Sequence, residues 1–177
     1  MKKTRKISVI IMFFVLFFII GTVKTNASSD DLYLKNYEFD VKINTNGSMD
    51  VTEIWDIDVE DTNTLYKTFT IDKTKYSGIT NVKVTDITNG NNNEFSQIYT
   101  EMYHVTKNCY YGLINKYGEF EIAWGIGMDD SSGHRKYKIQ YTVQDAILKC
   151  NNCAELYWQF IGKDFKIDAK NIKGTIT

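Results

Sequence analysis

Tyr37-Glu38-Phe39-Asp40-Val41-Lys42-Ile43, then Asn46-Gly47, then Met49-Asp50-Val51-Thr52-Glu53-Ile54-Trp55-Asp56-Ile57-Asp58-Val59 is the stretch of sequence that decides the fold. On both sides of Asn46-Gly47 all apolar residues but Ile54 fall on odd positions, and polar ones on the remaining even positions. Successive strand side chains point to opposite faces, so this period of two marks half-buried strands. Asn and Gly both tolerate positive φ, which makes Asn46-Gly47 a tight-turn signal between them. The stretch predicts an antiparallel hairpin with one wet face and one dry face. Glu53 alone places a charge in the dry register, among Val51, Trp55 and Ile57.

The same alternation continues outward. Ile79–Ile87 carries Val82 and Val84 and runs into the turn-rich Asn89-Gly90-Asn91-Asn92-Asn93. Phe120, Ile122, Trp124 and Ile126 alternate with Glu119, Glu121 and Ala123, and Asp129–Gly133 makes a short polar connection. Tyr137, Ile139, Tyr141 and Val143 alternate with Lys136, Lys138, Gln140 and Thr142. Leu156, Trp158 and Phe160 read as another strand, and Ile172–Ile176 begins a last one. Helical periodicity is weak; one turn near Asp145–Leu148 is the most it supports. Seven or eight short strands with closely spaced turns predict a single all-β domain, an antiparallel β-sandwich of immunoglobulin-like or jelly-roll-like type.

This domain is expected over residues 28–177. Residues 1–27 read as an address. Lys2, Lys3, Arg5 and Lys6 form a basic start, Ile7–Gly21 is a run of mostly apolar residues, and Thr25-Asn26-Ala27 offers small residues to a signal peptidase. As a helix that run spans only about 22 Å, short of the roughly 30 Å hydrocarbon core. A cleaved signal peptide is the first reading and an uncleaved N-terminal anchor helix the second; either sends the remainder across a membrane.

Removing the segment changes the charge. The whole chain carries 21 Lys and Arg against 22 Asp and Glu, a net of −1. Five of the basic residues and none of the acidic ones lie in residues 1–27, leaving 16 against 22 and a net of −6. Arg135 is then the only arginine. An acidic surface without arginine forks excludes nucleic acid as a partner. At typical usage of roughly 5% the chain would hold about nine prolines; it has none, which excludes polyproline ligands and leaves strand edges unblunted by Pro.

Three segments carry a family resemblance. Asn46-Gly47-Ser48-Met49-Asp50-Val51-Thr52-Glu53 resembles the G-S-x-x-V-T-E hairpin that opens the extracytoplasmic domain of a bacterial family of predicted membrane proteins, domain of unknown function 2207. Gly133-His134-Arg135-Lys136-Tyr137-Lys138-Ile139-Gln140-Tyr141-Thr142-Val143 is similar to its G-x-H-x-Y-x-I-x-Y-x-V strand. Glu155-Leu156-Tyr157-Trp158 followed by Gly162 resembles its E-L-Y-W…G segment, and Tyr66-Lys67 sits where the family often places an aromatic-basic pair before a short strand. The likeness spans roughly Leu34 to the C-terminus. It implies an exported or membrane-tethered β-sandwich with no assigned activity, cofactor or catalytic residue, in which Gly47, Glu53, Gly133, His134, Tyr137, Tyr141, Trp158 and Gly162 are structural. Family members generally continue into transmembrane helices, whereas this sequence has no second long apolar run and stops at Gly174-Thr175-Ile176-Thr177, inside an expected strand. The expectation is an ectodomain or fragment, reaching the membrane through its N-terminal segment or through a C-terminal helix outside this sequence. Phe165 stands where the family has Trp, and Cys150-Asn151-Asn152-Cys153 matches no family feature.

Candidate chemistry is sparse. Cys150 and Cys153 could form a disulfide in an oxidising compartment; Cys109 could bridge to either; Cys109, Cys150 and Cys153 with His104 or His134 could hold zinc; or the thiols stay unpaired. Glu53, if buried, needs a hydrogen bond or a Lys or Arg partner, since an isolated buried charge is very costly. Asp56, Asp58, Glu60 and Asp61 form a solvated acidic face, because donors along a straight strand do not converge on a cation. Asp129-Asp130-Ser131-Ser132-Gly133 has hairpin-loop composition. There is no G-x-S-x-G, no H-E-x-x-H and no phosphate-binding loop.

The expected function is therefore non-catalytic, without cofactor or metal. The domain would be an extracytoplasmic interaction or sensing part of a cell-envelope membrane protein, with another envelope protein or a cell-wall polymer as partner. Strand addition at an open edge is one docking mode. A secreted carbohydrate- or peptide-binding module using exposed aromatics is the alternative. Behind it stands a secreted enzyme using His104 or His134 with Cys109 or Glu53.

Overall fold

Eleven residue pairs in antiparallel register join β1 (Leu32–Ile43) to β2 (Met49–Val59) across the Asn46-Gly47 turn, as the alternation requires. Gly47 sits at φ +86, where a side chain would be strained, and its N–H donates to Asn44 O at 3.0 Å. A register shift between Leu34 and Asn36 inserts one residue, so that Leu34 and Tyr37, three apart, both point inward. The computed structural model describes residues 32–127, 132–161 and 168–177. The signal or anchor segment 1–27, the loop 128–131 and Gly162 lie outside them. No helix among the described residues is long and apolar enough to cross a membrane.

The remaining strands are β3 (Thr64–Phe69), β4 (Gly78–Asp86), β5 (Asn93–Glu94), β6 (Ser96–Gln97), β7 (Cys109–Ile114), β8 (Phe120–Gly125), β9 (Gly133–Gln144), β10 (Ile147–Lys149), β11 (Ala154–Leu156) and β12 (Asp168–Ile176). They form three sheets, in the orders β12-β1-β2-β9-β4-β5, β3-β8-β7-β6 and β10-β11. Among the described residues the protein is all-β. The two larger sheets share one core: Trp55 of β2 meets Trp124 of β8 edge-on at 5.3 Å, and Phe69 of β3 meets Tyr141 of β9 at 5.2 Å. Trp55, Trp124, Tyr137, Ile139 and Ile122 are fully buried there. Trp124 Nε1 has no hydrogen-bonding atom beside it; the rings of Trp55 and Tyr137 stand edge-to-face to its ring instead.

Three expectations are corrected. The architecture is not purely antiparallel, because β12 runs parallel to β1 and β6 parallel to β7. Parallel neighbours need a long connection, and residues 98–108 supply one between β6 and β7. Trp158 and Phe160 do not lie on a strand: β11 ends at Leu156. Their alternation serves a different purpose, since the Phe160 carbonyl accepts from Lys67 Nζ and Tyr37 OH, and its ring stacks on Phe39 at 4.3 Å. The segment closes the core with its rings and one backbone carbonyl, not by pairing along a neighbouring strand. Thirdly, Tyr66-Lys67 lies within a strand, β3, rather than before one.

The strand β7 escaped the sequence reading because both of its faces are covered. Tyr110 faces the main core, while Tyr111 packs with Val105 and Ala123 in a second cluster under residues 98–108. That covering loop approaches β8 so closely that a Cβ on Gly125 would collide with the carbonyl oxygens of Val105 and Thr106.

Candidate functional site

The dry register of β2 carries Glu53 into the centre of the core, where its side chain is fully buried. Three elements supply its partners. From β3, Lys67 Nζ lies 2.5 Å from Glu53 Oε1. From β9, the Tyr141 hydroxyl donates to the same oxygen at 2.6 Å. From β2 itself, Trp55 Nε1 donates to Oε2 at 3.0 Å. Lys67, buried in turn, also donates to Phe160 O at 3.0 Å and Tyr37 OH at 3.3 Å. Both charges thus have their lone pairs and protons satisfied, the condition for tolerating an ion pair in a low-dielectric interior. Burial first, then the charge of Glu53, pushes the Tyr37 and Tyr141 hydroxyls well above the usual phenol range. These groups hold protons and charges in place, sealed from solvent.

Sequence reasoning placed Glu53 in the dry register but missed its partner. Lys67 sits in the apolar register of Leu65-Tyr66-Lys67-Thr68-Phe69 as Glu53 does in its own strand. Two opposite charges, each alone in a dry register, were the available signal.

The other singled-out residues occupy separate places. Gly47 accepts from Ile147 N at 3.0 Å, which ties the β1–β2 turn to the β10–β11 hairpin. Gly133 opens β9 at φ +109. His134 lies on the outer face of the larger sheet, with Nε2 2.8 Å from Asp56. Asp56 also accepts from Asn36 Nδ2 at 3.2 Å, and Asp58 pairs with Lys35 at 2.8 Å. The acidic row is therefore a solvated face laced with cross-strand partners. Burial raises the Asp56 carboxyl somewhat, but hydrogen bonds from His134 and Asn36 bring it below the usual carboxylate range. His104 is exposed and its Nδ1 lies 2.9 Å from Asn63 Oδ1. Tyr137 is buried between Trp124 and Phe95, and Trp158 is half-buried against Phe69 and Tyr76. Cys109 is half-buried on β7, while Cys150 and Cys153 are exposed and all three thiols are free. The four-residue zinc set with His104 or His134 is not assembled among the described residues; instead Cys150 and Cys153 come together with Glu155.

One concave site opens to solvent where the β4–β5 turn meets residues 107–108. It has a volume of about 360 Å³, and its rim is mostly polar: Asp86, Asn89, Asn91, Asn93 and Asn108, with Arg135 beside them. Its floor includes Tyr137, Phe95 and Ile126. The rim is held by local bonds, Asp86 Oδ1 accepting from Thr88 N at 2.8 Å and Thr88 Oγ1 from Lys136 N at 2.9 Å. Carboxamides offering both donors and acceptors suit a hydroxyl-rich ligand.

β-sheets around a shared aromatic core, with a buried ion pair sealed inside it, define the class: an all-β domain. The chain belongs to the family of predicted membrane proteins DUF2207, whose N-terminal domain it matches over residues 33–177. No curated protein matches it. Among solved structures it is similar in part to yeast LTA4 hydrolase in complex with bestatin, at 10% identity and a TM-score of 0.38. That likeness covers 72% of this chain and 18% of the hydrolase chain.

Proposed function

We propose that this is a non-catalytic extracytoplasmic domain, a β-sandwich in which the two larger sheets face one another, serving as the interaction or sensing part of an envelope membrane protein. The observation that carries the reading is the dispersal of the reactive groups. Glu53 is sealed and neutralised by Lys67, His134 is on the outer face of the larger sheet with Asp56, and His104 is beside Asn63. A general base needs to reach a substrate proton, and Glu53 faces none. The basic, then apolar, then small-residue order of residues 1–27 supports export, and family membership supports attachment to a membrane.

The orientation is tested with a membrane-impermeant maleimide on intact cells. The chain would carry Tyr103→Cys, a position 91% exposed, with Cys109, Cys150 and Cys153 replaced by Ser. Labelling without lysis is expected; labelling only after permeabilisation defeats the proposal.

A second reading has its own observation, the asparagine-lined cleft. A cell-wall polysaccharide is a ligand of matching chemistry, its many hydroxyls both donating to and accepting from the cleft's carboxamides. Co-sedimentation with isolated cell walls should weaken when Asn89 and Asn91 become Ala. Unchanged co-sedimentation, or none with the unaltered protein, removes this reading.

A further inference from the structure

The β10–β11 hairpin ends in Lys149-Cys150-Asn151-Asn152-Cys153-Ala154. Its register pairs Leu148 with Glu155 and Lys149 with Ala154, so Cys150 and Cys153 form the closing pair across a two-residue turn, with Cys150 N donating to Cys153 O at 2.8 Å. Cross-strand partners share a face, and so do residues two apart on one strand. Cys150, Cys153 and Glu155 therefore project from the same side. Their sulfur and carboxylate oxygen atoms all lie within 4.8 Å of one another, and all three side chains are exposed. A tetrahedral zinc with bonds of about 2.3 Å to sulfur and about 2.0–2.2 Å to oxygen sets its ligand atoms roughly 3.5–3.8 Å apart. Side-chain rotation alone covers the difference.

We propose that Cys150, Cys153 and Glu155 form a site for one thiophilic divalent cation of the zinc class, with the fourth coordination position open to water. Two sulfurs exclude calcium and magnesium, which take oxygen ligands. The Glu155 carboxylate stands beside the two sulfurs on the same exposed face and supplies the oxygen donor. On binding, both thiols release their protons to solvent; two thiolates and a carboxylate against the metal's charge of two leave the site at −1. A disulfide is the competing use of the same sulfurs, but it gives Glu155 no role. The base of the hairpin is held to the β1–β2 turn by Ile147 N donating to Gly47 O at 3.0 Å, so the ion would staple the free tip of an element already fixed at its root.

The test uses the full chain in detergent, isolated without reductant or chelator and titrated with Co²⁺ and then Zn²⁺. One cobalt per chain is expected, with a near-ultraviolet sulfur-to-cobalt charge-transfer band that one equivalent of zinc bleaches. Cys150→Ser and Cys153→Ser should each abolish the band, and Cys109→Ser should leave it. Glu155→Gln should weaken cobalt binding by about tenfold or more, the scale on which even outer-sphere partners act. All these positions except Cys109 are exposed, so the variants keep the fold, and a thermal melt verifies it. No cobalt uptake, a band that survives Cys153→Ser, or a protein whose Cys150 and Cys153 are unreactive to maleimide until reduced would overturn the proposal.

Discussion

Replacing Glu53 by Gln removes one charge from the centre of the core while nearly preserving its shape. Lys67 then keeps its positive charge in a site where its side chain is only 7% exposed, with two neutral acceptors, Phe160 O and Tyr37 OH, in place of a carboxylate. Breaking a buried ion pair by removing one partner costs about 3–5 kcal/mol. At about 2–4 °C per kcal/mol for a domain of this size, the melting temperature should fall by about 6–20 °C. The amide also places its NH₂ against either Trp55 Nε1 or the Tyr141 hydroxyl, both of which donate to Glu53 in the native protein, so a donor is left facing a donor. The assay is a double-mutant cycle with Lys67→Met, read by urea and thermal unfolding. Lys67→Met alone should be comparably destabilising, because it strands the carboxylate. The double variant should lose about 2 kcal/mol or more less than the sum of the singles, since neither charge remains to be stranded. Additivity within about 0.5 kcal/mol, or a Glu53→Gln loss below about 1 kcal/mol, would refute the reasoning that the two charges hold each other in the core.

Further outcomes follow from other sites. Gly125→Ala should destabilise by about 1–3 kcal/mol, as overpacking against fixed backbone does, and should hasten proteolysis within residues 98–108, which can no longer lie on β8. The Asp50 carboxyl is held below its usual range by the Asn44 amide and then by the Thr142 hydroxyl. Its folded form is the weaker proton binder, so its contribution is present above about pH 4, the unfolded value, and is lost as pH falls below it. Asp50→Asn should therefore flatten the decline of the urea midpoint on acidification. Tyr37, Tyr141 and Tyr111 all have phenols raised above the usual value, with burial the largest cause. Their stabilising share is complete below the unfolded value of about 10 and disappears as pH climbs toward the folded ones. Phenolate absorbance should show these three ionising only together with unfolding.

How far the sequence could be read depended on how local the cause was. Alternation is imposed by the steric geometry of each strand, so Met49–Val59 and Gly133–Gln144 were legible residue by residue with their wet and dry faces, and Phe120–Gly125 by its apolar register although residues 98–108 cover its other face. The same periodicity misassigned Trp158 and Phe160, because side chains plugging a core can alternate without any strand to pair with. It missed Cys109–Ile114, which is covered on both faces and, unlike Phe120–Gly125 with its Glu121, carries no charged residue to mark an outer register.

The sequence by itself determined an all-β chain, its Asn46-Gly47 hairpin and the anomaly of a carboxylate in a dry register. It could not say that Lys67 of β3 answers Glu53 of β2, because that pairing exists only when two sheets close over each other. Nor could it say that β12 lies parallel beside β1, since strand direction is set by the path of the connection and not by the residues of the strand. The Cys-Asn-Asn-Cys motif was visible as a spacing. That Glu155 joins its two sulfurs followed only from hairpin register, which sets three side chains on one face within reach of a single ion.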